Sequence, residues 1–286
     1  MNRSALLRFR RNRPACLGAA LVALLTLAAL LGPVVVSQDP NTSDFLHGVG
    51  DLGPAPPSSL HWLGTDTLFR DLAARLLHGA RISLAVAILA TALAVGIGTL
   101  VGLLAGSTWG TRFRFLDELL MRIVDAGLSF PYLLLVMAVG AALDRSDLTA
   151  VIVVLGATGW LGLSRVVRAK TIQIRQLDFV AAARSLGQHP LRIALRHVLP
   201  NIAGPIVVTA TASVASMILA ESVLGYLTVG VQPPTATWGR MLREGQGFFA
   251  AEPILVVAPS LAILLAVLGF NLLGEGLRDA LDPQSR

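Results

Sequence analysis

Lys170 is the only lysine in a chain of 286 residues, so its neighbours limit what phosphate chemistry the chain can do. A nucleotide-binding P-loop needs G-x-x-x-x-G-K-[ST], in which backbone amides and the lysine cradle the phosphates. Lys170-Thr171 follows Ala169, not glycine. The chain therefore has no P-loop, and any ATP and Mg chemistry it depends on belongs to a partner subunit. "GLSR", Gly162 to Arg165, loosely matches a G-x-S nucleophile motif, with Arg165 where a glycine would help. No histidine lies centrally in an apolar run to act as its base, since His189 and His197 fall in a basic segment. An intramembrane hydrolase acting through Ser164 is therefore a remote alternative, and no catalytic residue is assigned. Cys16, the single cysteine, excludes an intrachain disulfide and makes no metal site alone. An ion- or proton-coupled carrier, the alternative from another class, would place ionisable groups near the bilayer midplane. Glu221 lies about 20 residues into an apolar run, near its outer end. Glu118, Arg122 and Asp125 cluster at the inner start of another. All four read as snorkelling or helix-end groups, with Glu221 also a candidate gate or interface residue.

The elements that must position such groups follow from composition. The chain is 54% hydrophobic and 14% charged, whereas a soluble domain is about 25% charged. It reads as an all-α integral membrane protein. A crossing helix needs about 20 mostly apolar residues, and uncharged runs supply six. These are Pro14 to Gln38, Ile82 to Thr111, Ala126 to Leu143 (extended back to Leu119), Leu148 to Ser164, Val198 to Ala220, and Pro253 to Gly274. The first run is preceded by basic residues like a signal peptide. Its apolar core, Cys16 to Val36, exceeds a signal's usual length of about 7–15 residues and no A-x-A site follows, so a retained signal-anchor is expected.

The net charge of +6 reports orientation and not nucleic-acid binding. With six spans, one side carries 17 of the 23 Lys and Arg residues, including Arg3, Arg8, Arg10, Arg11 and Arg13, and the other carries 6. The positive-inside rule then places both termini in the cytoplasm. The expected layout is a cytoplasmic basic tail (1–13), a first transmembrane helix (14–38), and an outer, periplasmic loop (39–78). A five-helix core (79–277) follows, including a cytoplasmic loop (169–200), and then a cytoplasmic tail (278–286). The outer loop ends in "TDTLFRDLAARLLHGAR", where Leu68, Phe69, Leu72 and Leu76 recur at helical spacing and Asp71 and Arg75 form an i,i+4 pair. A short interfacial amphipathic helix is expected there. Gly98, Gly102 and Gly106 form a GxxxGxxxG ladder for close helix packing in lipid or, alternatively, for a moving contact.

Between the fourth and fifth runs lies "DFVAAARSLGQHPLRIALRHVLPN", Asp178 to Asn201. Asp178 is expected to cap a helix, Gly187 to end it in a left-handed turn, and Pro190 to start a second helix leading into the fifth span. The first helix is expected to turn Ala181, Ala182 and Ala183 outward beside Arg184. An exposed apolar face on a water-side loop fits a protein partner; a surface helix steadied by anionic lipid is the alternative.

"AAARSLG" followed by "LRHVLPN" resembles the EAA loop of ABC-importer permeases, E-A-A-x-x-x-G ending in L-P. Ala181, Ala182 and Ala183 take the E-A-A place, Gly187 the glycine, and Leu199-Pro200 the L-P. "LGTDTLFRD", "ESVLGYLTVGVQPPTATWGRML" and "GFNLLGEGLRDALDP" resemble the dipeptide/oligopeptide/nickel branch, and "RFRRNRPA" its second, C-type permease. The resemblance covers essentially the whole chain. It implies a type I importer permease in the bacterial inner membrane, passing di- or oligopeptides, or a related solute such as nickel. Its implied partners are a homologous permease, one or two kinds of ABC ATPase subunit, and a periplasmic or lipid-anchored substrate-binding protein, besides membrane lipid. The loop around Asp178, Phe179, Ala182, Ala183 and Gly187 would dock in the ATPase and couple its closure to the pore. Glu221 matches a glutamate common in the family. Three residues depart from the pattern: Ala181 replaces its Glu, Phe69 its Gly in LGTDxxGRD, and Thr228 a Gly in L-S-F-L-G-L-G.

The segment from Gly225 to Phe249 is rich in Gly and Pro. Trp238 reads there as an interfacial anchor. The alternative makes Gln232, Pro233, Pro234 and Trp238 part of an outer gate or a dock for the binding protein.

Overall fold

The computed structural model describes residues 8–50, 53–143 and 147–281. Arg3, Arg145 and Arg286, and the tail beyond residue 281, lie outside the described residues. Helix α1 (Arg13–Val35) is apolar on all sides and is capped by Asn12, whose side chain accepts the Ala15 N–H at 3.1 Å. It packs along the last helix, α11 (Ile254–Leu281). Helix α2 (Leu72–Thr108) has 37 residues, or about 55 Å, well beyond the hydrocarbon thickness of about 30 Å. It runs through the middle of the bundle.

The expected separate amphipathic helix before α2 is not formed. The Asp71 carboxylate accepts the Ala74 N–H at 2.6 Å and so starts α2 at Leu72. Leu68 and Phe69 sit in the turn before it, and Phe69 has φ +60, which no right-handed helix accommodates. The expected Asp71–Arg75 pair is also absent. Asp71 instead bonds His61 Nδ1 at 2.8 Å, and Arg75 faces Asp66 and Glu244.

Two of the expected spans are broken. Helices α3 (Arg114–Leu128) and α4 (Tyr132–Leu143) meet at a 97° bend across Ser129 to Pro131. Pro131 lacks an N–H and disfavours helical geometry at Phe130. Helices α5 (Leu148–Gly159) and α6 (Leu161–Arg175) meet at Trp160 with a 41° bend, and α6 continues well past the expected end at Ser164. Among the described residues, four helices are thus long and apolar enough to cross a membrane, or up to six if each bent pair counts as one span.

Helix α7 (Asp178–Ser185) precedes α8 (Pro190–Ile193), which passes through a π-helical turn, Ala194–Val198, into α9 (Leu199–Tyr226). Helix α10 (Trp238–Gly245) lies against the far end of α9. Within the loop after α1, β1 (Val49–Gly50) pairs antiparallel with β2 (Gly53–Pro54), and isolated antiparallel bridges join Ser43 to Arg70 and Thr65 to Asp71.

The main core lies between α2, α5, α9 and α11, where Leu84, Val86, Leu155, Ile218 and Phe270 are buried together. A second core forms near α7. There Leu103 of α2, with Leu163 and Val167 of α6, meets Val180, Ala183, Ile193, Val198 and Ile202.

Candidate functional site

That second core builds the helix–turn–helix from Asp178 to Val198. Val180 and Ala183 sit three residues apart on α7, so both point inward, and Ala183 is only 4% exposed. Gly187 has φ +72 and ends α7. Its N–H donates to the Arg184 carbonyl at 2.9 Å, and the Gln188 N–H donates to the Ala183 carbonyl at 3.2 Å. This double closure is a Schellman turn, which needs a left-handed residue that glycine adopts without steric cost. Pro190 then opens α8, and His189 Nδ1 accepts the Leu191 N–H at 3.3 Å.

Two expectations about this loop need correction. Asp178 is the first helical residue and not the cap, which is Leu177 in extended geometry, and no side-chain cap bond forms. Ala183 is not on the outward face. The small Cβ lets α7 lie close on the second core, while Ala181 and Ala182 stay exposed with Phe179 (43%) and Leu186 (81%). The Phe179 ring lies 6.3 Å from that of His197 in the π turn, whose Nε2 pairs with Gln188 Oε1 at 3.1 Å. Leu199 packs against the second core, and Pro200 is exposed. A shallow groove of about 670 Å³ beside it is lined by His189, Leu191, Arg192, Leu195, Arg196 and Pro200.

Of the ionic frame behind the loop, the sequence reading named Glu118 and Asp125 as helix-end groups and missed Asp117, Arg168 and Arg175. Arg175, at the end of α6, donates through Nη1 to the Gly106 carbonyl at 2.6 Å and the Trp109 carbonyl at 3.0 Å. It thereby satisfies the last carbonyls of α2. Arg184 of α7 reaches the Arg175 carbonyl at 3.4 Å. Arg168 binds Asp117 with both ends of its guanidinium, and Arg165 pairs with Asp125. Glu118 pairs with Arg114 at 2.8 Å. A signal was available: Arg165 and Arg168 are three apart on one helical face, as the partner acids on α3 are two turns apart.

The glycine ladder lies where α2 crosses α6. A Cβ on Gly98 would stand 2.9 Å from the Trp160 carbonyl oxygen, on Gly102 2.6 Å from the Ser164 oxygen, and on Gly106 2.6 Å from Thr171 Cβ. Ser164 itself is fully buried, and its hydroxyl donates to the Leu161 carbonyl at 2.7 Å. It is not available as a nucleophile.

At the other end of α9, Glu221 is 1% exposed, so it does not snorkel, and it pairs with no cation among the described residues. Its carboxyl group lies beside the Ser83 and Thr237 hydroxyls without a well-aligned hydrogen bond to either. Trp238 is fully buried and is not an interfacial anchor. Its backbone N–H donates to Ser83 Oγ and its indole N–H to the Leu76 carbonyl, both at 3.2 Å, so it stitches α10 to α2. Gln232, Pro233 and Pro234 remain exposed; the Gln232 amide donates to the Thr228 and Gly230 carbonyls at 3.0 Å. The start of α2 is joined to α10 through Glu244, which accepts from Arg70 and Arg75 at 2.8 Å each. In the adjoining loop, the His47 backbone N–H above all holds the Asp44 carboxyl below its ordinary value.

A multi-span helical bundle whose helix–turn–helix buries one face and leaves an apolar one exposed fits a membrane component that binds a protein partner. Comparison with known proteins agrees. Residues 98–286 match the family described as the binding-protein-dependent transport system inner membrane component. Residues 1–57 match the N-terminal TM domain of oligopeptide transport permease C. The chain is 36% identical over 284 residues to the oligopeptide transport system permease protein OppC of Bacillus subtilis, covering 99% of this chain and 90% of that one. It is 38% identical over 287 residues to the dipeptide permease DppC of Alkalihalophilus pseudofirmus, with the same coverage. It is 42% identical over 228 residues to the glutathione permease GsiD of Pectobacterium atrosepticum, covering 80% and 74%. Among solved structures, the inward-facing MetNI methionine ABC transporter shares its fold, at TM-score 0.59 and 20% identity, over 72% of this chain and 96% of that one. The chain belongs to the family of binding-protein-dependent transport system inner membrane components, and its fold is that of a type I ABC-importer permease.

Proposed function

We propose that this chain is the second permease subunit of an ATP-driven importer for di- or oligopeptides or a closely related small solute. It works in the bacterial inner membrane with both termini in the cytoplasm. The observation that carries the proposal is the two-faced loop: Val180 and Ala183 anchor α7 in the bundle, and Phe179, Ala182 and Leu186 are left facing water. In this reading an ATPase subunit covers that face together with the mixed apolar and basic groove at Leu191, Arg192, Leu195 and Arg196. ATP and Mg bind the ATPase subunits, since Lys170 stands outside any P-loop. A homologous permease completes the pore, and an external binding protein delivers the solute to the end carrying Gln232, Pro233 and Pro234. Glu221 and Trp238 hold that end as buried supports for the gate. The names of the relatives support peptides as the substrate class, and a nickel chelate is not favoured. Nor is an ion-coupled carrier, which would be expected to act without an ATPase.

The test is a tagged pull-down from detergent-solubilised native membranes, with ATPase activity assayed on the eluate. A P-loop ATPase and a second multi-span protein should co-elute, and Ala182→Arg should remove the ATPase while the chain still inserts. Recovery of the chain alone, stable and without ATPase, would overturn the proposal.

A further inference from the structure

The two broken helices converge on one groove. It has a volume of about 390 Å³ and lies where the α3–α4 bend and the α5–α6 kink face α9. Its wall contains Tyr132, Thr158, Thr209, Ser213, Ser216 and Met217, and no Asp, Glu, Lys, Arg or His is among its lining residues. The hydroxyls share one property. Thr158 donates to the Val154 carbonyl at 2.8 Å, Thr209 to Pro205 and Ser213 to Thr209 at 2.9 Å, and Ser216 to Ala212 at 3.4 Å. Tyr132 donates to Met217 Sδ at 3.5 Å. A hydroxyl has one proton and two lone pairs. With the Thr158, Thr209 and Ser213 protons engaged inside the protein at 2.8–2.9 Å, and that of Ser216 only loosely, what these side chains chiefly offer the groove is acceptors.

Resting on the transport reading above, we propose that this groove is the chain's wall of the solute path and that it selects for hydrogen-bond donors. Solutes carrying N–H groups or an ammonium end are matched by the lone pairs of Thr158, Thr209, Ser213 and Ser216. Anions meet only partial negative charge and no cation. Because the lining carries no ionised side chain, a solute is held weakly enough to leave, which transport requires. Discontinuous helices are a build in which membrane proteins place solute-facing surface, since irregular backbone is tolerated in lipid only where it is buried or lines a cavity.

Thiol scanning of the full chain in native membranes tests this without knowing the solute. Thr209→Cys, Ser213→Cys and Ser216→Cys are each made in a Cys16→Ser background, which removes the only native thiol. Val207→Cys is the control: it is two residues from Thr209, at similar depth, and 45% exposed on another face of α9. The probes are the 2-aminoethyl methanethiosulfonate, whose primary ammonium carries three N–H donors, and the anionic sulfonatoethyl methanethiosulfonate, with rates corrected for their reactivity toward a free thiol. The three groove positions should be modified, about tenfold or more faster by the cationic reagent, the size of one charge-assisted hydrogen bond. Val207→Cys should resist both. No modification in the groove, as lipid or a partner helix filling it would give, overturns the path assignment. Equal rates for the two reagents overturn the donor selectivity. Either result is separable from failure of the importer reading, which the pull-down decides independently.

Discussion

Arg168 on α6 clasps Asp117 on α3 at two points, Nε to Oδ1 at 2.5 Å and Nη2 to Oδ2 at 2.7 Å. The Asp117 side chain is 4% exposed and that of Arg168 29%, so the pair is partly shielded from water. Asp117→Ala strands the guanidinium and should lower stability by about 2–3 kcal/mol. Adding Arg168→Met should recover part of that loss. Thermal unfolding of the four proteins of the double-mutant cycle in detergent measures both numbers, and additive losses would mean the pair contributes no coupling.

Phe69 and Thr228 are the two non-glycine residues with left-handed backbone among the described residues, at φ +60 and +64. They are also two of the three positions at which the chain departs from its family's pattern, and at both the pattern has glycine. A glycine at either position would adopt this backbone without steric cost. Left-handed geometry costs a residue with a Cβ about 1–2 kcal/mol, and glycine's greater freedom in the unfolded chain returns part of this. Thr228→Gly, at an exposed turn, should raise stability by roughly 0.5–1 kcal/mol. Phe69→Gly should be near neutral, because it also loses the edge contact with Phe45 at 5.7 Å. Chemical-denaturation midpoints of the two variants compare them.

Ala182 and Ala183 are neighbours with opposite surroundings, so arginine at each should fail differently. At Ala183 it forces a charge into the second core and should cost about 3 kcal/mol or more, lowering the amount of folded protein in the membrane. At Ala182 it should leave expression and melting temperature unchanged while uptake falls at least about tenfold, or about 1.4 kcal/mol of coupling. Membrane quantity and uptake measured side by side separate the two, and unchanged uptake in Ala182→Arg would remove that face from the coupling surface.

At Gly102 the approach of α2 to α6 leaves no room for a methyl group, since a Cβ would stand 2.6 Å from both the Ser164 carbonyl oxygen and Val167 Cβ. Gly102→Ala should destabilise by about 1–3 kcal/mol through overpacking. Gly96→Ala, with open space around its Cβ position inside α2, is the internal control and should be neutral to stabilising by up to about 1 kcal/mol. Melting temperatures of the two variants in detergent decide it.

Much of the membrane architecture was legible because lipid imposes it: a span must satisfy its own backbone and stay apolar over a fixed length, and both requirements are local. The turn at Gly187 was legible for a similar reason, since left-handed backbone selects glycine within a few residues of sequence. Asp71 was misread because an i,i+4 spacing says only what could meet on a helix, and Asp71 lies outside the helix, where its carboxylate caps the start. Trp238 was misread because composition placed it near an interface. Its burial depends on Ser83 and Leu76, more than 150 positions away.

The same division holds for the function. Residue order alone pointed to an apolar, multi-span bundle without a P-loop, with a helix–turn–helix in the segment Asp178 to Asn201, because hydropathy and glycine geometry act within one segment. Folding in three dimensions decided which of the three alanines turns inward, which arginines hold α6 to α2 and α3, and where the broken helices open a groove. Those depend on which side of a helix meets a neighbour far along the chain. A spacing of three or four residues makes a face, and only the packing of α2, α6 and α9 against one another determines whether that face is buried.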